Sequence, residues 1–168
     1  MTISMYQASV PVFIRALNNL AAILEKGAAH AQARKIDEAV LLNSRLFPDM
    51  FPLVRQVQIA TDTARSGAGR LADAEFPAYE DKEATFQDLV LRIRNSIAYL
   101  ESLKPAQIDG GEDKTISWQS RSSTKSMQAQ PYLLAHLLPN IHFHVSTAYA
   151  ILRHNGVELG KKDYLGPS

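Results

Sequence analysis

With 168 residues, 46% of them hydrophobic and 21% charged, the chain has the make-up of one globular domain rather than of a disordered or fibrous protein. It has no cysteine, which excludes a disulfide scaffold, a thiolate nucleophile and a zinc site with sulfur ligands. Lys and Arg number 18 against 17 Asp and Glu, a net charge of +1, and no block of like charge is long enough to follow a phosphate backbone, so nucleic acid is not an expected partner. The opening Met1 to Ser9 lacks the basic stretch and apolar core of an export signal, and a cytoplasmic location is expected.

Tyr6, Val10, Phe13, Leu17, Leu20 and Leu24 step by 4, 3, 4, 3 and 4, the apolar seam of a long amphipathic helix. Ser4 is its candidate N-cap, Pro11 either kinks it or marks its true start after Ser9, and Gly27 is its candidate stop. A short apolar run follows at Ala39, Val40, Leu41 and Leu42. Asp49 is placed to cap a second long helix with Pro52 in its first turn, and Leu53, Val57, Ala60, Ala64, Ala68 and Leu71 form its seam. The small residues Ala64, Gly67, Ala68 and Gly69 would let another backbone approach closely, and a homodimer is expected through a two-fold interface of apolar bundle faces and this run. After the charged Glu80-Asp81-Lys82-Glu83, Thr85-Phe86-Gln87-Asp88 resembles a capping box. The third helix then carries Phe86, Leu89, Ile93, Ile97 and Leu100 on one face, with Arg92, Arg94 and Glu101 available to water, and Pro105 ends it.

From Ala106 to Gln130 the chemistry changes. Asp109-Gly110-Gly111 is a turn, Thr115 to Trp118 is extended in propensity, and Arg121 to Lys125 is another turn, so a two-stranded hairpin or an irregular excursion is expected against the helices. Between Ser126 and Leu152 there is no Asp, Glu, Lys or Arg. Pro131, Pro139, Asn140 and three histidines interrupt that run, which reads as buried helix rather than as a membrane span. Tyr132 to Leu138 is a short helical piece, and Asn140 to His154 a long helix closed at Asn155-Gly156. The fold class expected is all-α: one domain over 1–168, an up-down four-helix bundle with a hairpin or irregular excursion between the third and fourth helices.

The last helix holds the most informative cluster. On a helix Asn140, His144 and Ala148 share a face, whereas His142 lies roughly 160° away from His144, so the two histidines cannot both ligate one ion. The four-helix layout and this helix resemble the DinB/YfiT-like superfamily of metal-dependent bundle proteins. The tail from Pro139-Asn140 through His144, Thr147-Ala148-Tyr149, Leu152-Arg153 and Gly156-Val157 to Gly160-Lys161, Asp163-Tyr164 and Leu165-Gly166 is similar to a branch carried as a domain of unknown function. Phe47-Pro48-Asp49-Met50 and Gln56-Val57-Gln58 fit the same branch.

That resemblance implies a metal site with one histidine from the second helix and two, four apart, from the fourth, a set suited to Zn²⁺ or Ni²⁺. It puts His144 at the last ligand position, Asn140 four residues before it, and Gln56 or Gln58 where the second helix would offer a histidine. One imidazole of three survives, so no tightly held cofactor is expected. Instead Gln56, Asn140, His144 and Tyr149 are expected to line a polar pocket that takes a small molecule. Read without the resemblance, His144 is a hydrogen-bonded core histidine with Gln56, Asn140 and Thr147 as candidate partners, and Tyr149 and Trp118 are packing aromatics with one polar end. Ser146 and His142 are four apart but have no positioned acid or oxyanion hole. The alternative that the superfamily implies is a Zn- or Ni-dependent transferase or isomerase of the thiol-transfer type, and the residues alone leave enzyme against binding module open.

Overall fold

The computed structural model describes residues 3–120 and 123–167. Its helices are α1 (Val10–Arg34), α2 (Glu38–Leu42), α3 (Leu53–Ala72), α4 (Phe86–Ser102), α5 (Pro105–Ile108), α6 (Ala129–Pro131), α7 (Leu138–His154) and α8 (Lys161–Leu165). Between α5 and α6 stands an antiparallel hairpin of β1 (Thr115–Gln119) and β2 (Thr124–Gln128), in a register that pairs Ile116 with Met127 and Trp118 with Lys125. Of the turn expected at its tip, Arg121 and Ser122 lie outside the described residues. No described helix is long and apolar enough to cross a membrane.

The three predicted seams and an apolar face of the last helix form the core. Val10, Phe13, Leu17, Leu20 and Leu24 of α1 are buried, as are Leu53, Val57, Ala60, Ala64 and Ala68 of α3 and Phe86, Leu89, Ile93 and Leu100 of α4, and α7 adds Ile141, Val145, Ala148 and Ile151. Pro11 stands in the first turn of α1 and Ser9 at its N-cap, so of the two readings of Pro11 the chain takes the start. Ser4 caps only the turn before it, accepting from the Gln7 amide at 3.3 Å. Asp49 caps nothing at α3, because Pro52 occupies the N-cap and the intervening turn closes from the Met50 amide to the Phe47 carbonyl. The capping box of α4 is present: Asp88 and Thr85 exchange hydrogen bonds with each other's backbone.

Gly27 does not stop α1, which runs on to Arg34 and closes with Lys35 in the left-handed region. The glycine is there for closeness: a Cβ on it would stand 3.0 Å from Phe86 and 3.2 Å from Leu152. Gly67 and Gly69 serve α3 in the same way, against Leu137 on one side and Phe76 with Tyr99 on the other. The run Ala64 to Gly69 therefore faces into the bundle, and it is not the open two-fold interface expected of it. Pro139 also leaves its mark on the chain before it. It has no N–H for the carbonyl four residues back, and the turn Tyr132–Leu137 widens to a π-helix in which the Leu138 amide reaches the Leu133 carbonyl.

Around the bundle α1 packs on α4 and α7, and α3 on α4 and α7, with α1 and α3 across a diagonal. Side-chain pairs give the directions. Gly27 meets Phe86 while Asn18 meets Arg94, so α1 and α4 are antiparallel; Gln56 meets His144 while Gly67 meets Leu137, so α3 and α7 are antiparallel. Thr61 meets Arg92 while Gly69 meets Tyr99, so α3 and α4 are parallel. The order is up, down, down, up, where short turns would impose alternation. The connection that permits it is residues 73–85, whose reach of about 40 Å exceeds the roughly 30 Å length of α3. This strap returns the chain along the bundle and delivers it to the start of α4.

Candidate functional site

Gln56 lies in the first turn of α3 and His144 in the middle of α7, both buried on the face where these two antiparallel helices meet. His144 Nδ1 is 2.7 Å from Gln56 Oε1, and Gln56 Nε2 donates to the Phe51 carbonyl at 3.0 Å. A carbonyl can only accept, which fixes the amide orientation and presents Oε1 to the ring. Nδ1 must then carry the hydrogen, and Nε2 of a neutral ring carries the lone pair. Burial, with the Arg55 charge adding to it, pushes the His144 pKa down to about 4, so the ring is neutral at pH 7. His144 is 8% exposed, and the side-chain hydrogen bond of its ring among the described residues is the one at Nδ1. Phe143, 56% exposed, stands edge-on to the imidazole at 5.1 Å between centroids.

The other residues predicted for this pocket divide. Asn140 is half-buried on the same face of α7, but no hydrogen bond among the described residues joins it to His144 or Gln56. Thr147 turns back to the Phe143 carbonyl at 2.7 Å. Tyr149, about 140° around the helix from His144, packs edge-on against Tyr164 with centroids 6.3 Å apart. Gln58 belongs to a different network, donating to Glu83 at 2.8 Å, so of the two glutamines it is Gln56 that meets the histidine.

These donors do not fit a three-imidazole metal site. The side chain at the α3 position is an amide whose oxygen and nitrogen are already spent on His144 and Phe51, and Asn140 adds a second weak amide donor. No group of three or more His, Asp or Glu among the described residues is placed to hold an ion.

Beneath the strap lies a cluster that helical periodicity does not signal. Arg92, expected to face water, is 3% exposed. Its Nε donates to Thr61 at 2.9 Å, Nη1 to Glu83 at 2.8 Å and to the Glu80 carbonyl at 3.1 Å, and Nη2 to Asp62 at 2.7 Å, with Asp81 at 3.1 Å. Burial opposes its charge, yet Glu83 and Asp62 more than offset that and raise its pKa further. Arg65, 4% exposed, shares Asp62 at 2.8 Å and lies 3.9 Å from the ring centre of Tyr79, while Arg55 pairs with Asp81. Arg94 and Glu101 are exposed as expected. The signal available in the sequence was four charges in a row, Glu80 to Glu83, beside helices carrying five arginines.

The tail also has a place. After Gly156, at φ +89, the chain folds back along α1, where Asp163 pairs with Lys26 at 2.7 Å and Asn19 donates to the Tyr164 carbonyl at 2.9 Å. The Tyr164 hydroxyl stands 3.1 Å from His142 Nδ1 and 3.2 Å from Ser146 Oγ, so those two polar residues of α7 are spent on holding the tail.

A family model described as a domain of unknown function, DUF1993, matches residues 5–165. Among solved structures, the crystal structure of a DinB family member protein from Shewanella denitrificans is similar with a TM-score of 0.89 and 44% identity, covering 98% of this chain and 93% of that one. No curated protein matches. The four-helix layout expected from the seams is therefore the DinB-like fold, and the chain belongs to the DUF1993 family within it.

Proposed function

We propose that the protein binds a small molecule at His144, with the neutral imidazole as hydrogen-bond acceptor and without a tightly held metal. The observation that supports this reading is the 2.7 Å bond from His144 Nδ1 to Gln56 Oε1, which leaves the lone pair on Nε2. A ring that protonates only near pH 4 is a poor general base at neutral pH, since proton transfer is best served by a pKa near the working pH. It is a good acceptor, and the exposed Phe143 that stands edge-on to it suits an apolar or aromatic body. The ligand expected is therefore a small aromatic or aliphatic molecule carrying one O–H or N–H donor.

Phenol and anisole form the test pair, because they differ in the donor. Phenol at a hundred times its Kd should stabilise the protein by about 2.7 kcal/mol, or roughly 5–10 °C in Tm for a chain of this length. Anisole should do less, and His144→Phe should abolish the difference. Equal shifts with both compounds would count against an acceptor role. The metal-dependent thiol-transfer reading predicts instead about one equivalent of Zn or Ni in untagged protein, lost in His144→Ala; elemental analysis finding it would displace the proposal. A homodimer stands as a separate proposal, on a face other than Ala64 to Gly69, and light scattering reads 18.6 kDa for the single chain and twice that for the pair.

A further inference from the structure

The strap of residues 73–85 is held in an unusual way. Between Glu75 and Glu83 no backbone–backbone hydrogen bond secures it among the described residues, and along that stretch only Tyr79 and Glu83 are withdrawn from solvent. Its first part is held by Phe76 against Gly69 and Arg70 and by the Tyr99 hydroxyl on the Glu75 carbonyl, and its second part by charges and one ring. Asp81 meets Arg55 and Arg92, Glu83 meets Arg92 and Gln58, and Tyr79 lies over the Arg65 guanidinium. What it covers is less well satisfied than a core, because Arg65 Nε and Nη1 are sealed with no partner. Removing the two strap carboxylates from this cluster leaves Arg55, Arg65 and Arg92 facing Asp62, an excess of two positive charges. A cleft of about 590 Å³, walled by Tyr79, Glu83, Leu91, Arg92 and Asn95, opens beside the same residues.

We propose that Asp81 and Glu83 act as an internal ligand, occupying a dicarboxylate-binding site made by Arg55 and Arg92 with Gln58 and Arg65, and that a small dicarboxylate displaces residues 78–83 from it. The chemistry is a like-for-like exchange. Arginine forks hold carboxylates in geometries that a free carboxylate reproduces, the strap acids go to water, and the dianion matches the two positive charges they leave. Arg92 is built for this as much as for packing: Thr61 and Asp62 hold one side of its guanidinium from α3, which keeps it in place when the strap leaves. The site shares no side chain with the His144–Gln56 pair, and the proposal does not rest on the reading given there.

Succinate is the probe, measured by calorimetry and by hydrogen exchange at constant ionic strength with chloride as the balancing anion. Glu83→Gln and Asp81→Asn weaken the internal competitor without touching an arginine. Each should bind succinate about tenfold more tightly than the wild type, since one charge-assisted hydrogen bond of the competitor is weakened. Succinate, and not chloride, should speed exchange of the strap amides from Ala78 to Glu83. The proposal is overturned by equal affinity in all three proteins, by no binding in any of them, or by strap exchange that follows ionic strength alone.

Discussion

Replacing Gln56 by leucine removes the acceptor of His144 Nδ1 and the donor to the Phe51 carbonyl in one step. The variant should lose about 1–3 kcal/mol in urea denaturation, the usual cost of orphaning a buried polar group, and more than Gln58→Leu, whose partners are nearer to water. The same histidine makes stability depend on pH. Its folded pKa of about 4 lies below the ordinary 6.5, so between those values the unfolded chain binds the proton and the folded one does not. Stability from this group is complete above pH 6.5 and falls as the pH drops toward 4, with a slope of at most about 1.4 kcal/mol per pH unit. Urea midpoints at pH 7 and pH 5 should therefore differ more for the wild type than for His144→Gln; equal differences would show that the ring titrates in the fold as it does in the unfolded chain. Both residues of this pair were legible in the sequence, since a histidine at an inward position of a long helix needs a partner, and the resemblance offered two glutamines. Choosing between the glutamines was not, because two residues apart on a helix are separated by about half a turn, and that decides which network each one joins.

The seams of the first three long helices show plainly in the sequence because apolar spacing and burial are the same fact seen twice. Glycines and charges on those helices are less legible. A glycine ends a helix or admits a neighbour, and at Gly27 and Gly67 only the neighbours, Phe86 and Leu137, decide which. Arg92 reads as a surface residue until the acids that bury it are brought in by a strap with no periodic pattern of its own. Gly67→Ala tests the close-approach reading. The added methyl would lie 2.5 Å from Leu137, and overpacking of about 1–3 kcal/mol should exceed the gain in helix propensity of about 1 kcal/mol. Leu137→Ala should itself be destabilising, but the double variant should be more stable than the sum of the two, with a coupling of at least about 0.5 kcal/mol. Additive effects would mean that the alanine is accommodated elsewhere.

For the molecule as a whole, two segments outside the bundle complete it in different ways. The strap sets the up, down, down, up order and is tied to the core by Arg92. The tail is held more lightly: Val157 and Leu159 enter the core, but α8 buries no residue, and polar bonds tie it to α1 through Lys26, Asn19 and Arg15, whose guanidinium takes the Leu165 and Pro167 carbonyls at 2.9 Å each. Gly166 is the hinge of that hold. It sits at φ +73, and a side chain there would run into the Asn19 amide, so Gly166→Ala meets both strain and a clash. The variant should release the tail and open the cavity of about 110 Å³ that lies between it, α1 and His142. Because α8 buries no residue, the bundle should stay folded and lose about 1 kcal/mol, or roughly 2–4 °C in Tm. Amides of residues 161–166 should then exchange faster while those of α3 and α4 do not change. Arg15→Ala added to Gly166→Ala should cost little more, since its partners have already left. A fall in Tm above about 10 °C would instead make the tail part of the cooperative core and assign its residues to stability rather than to a cover over the α1–α7 groove.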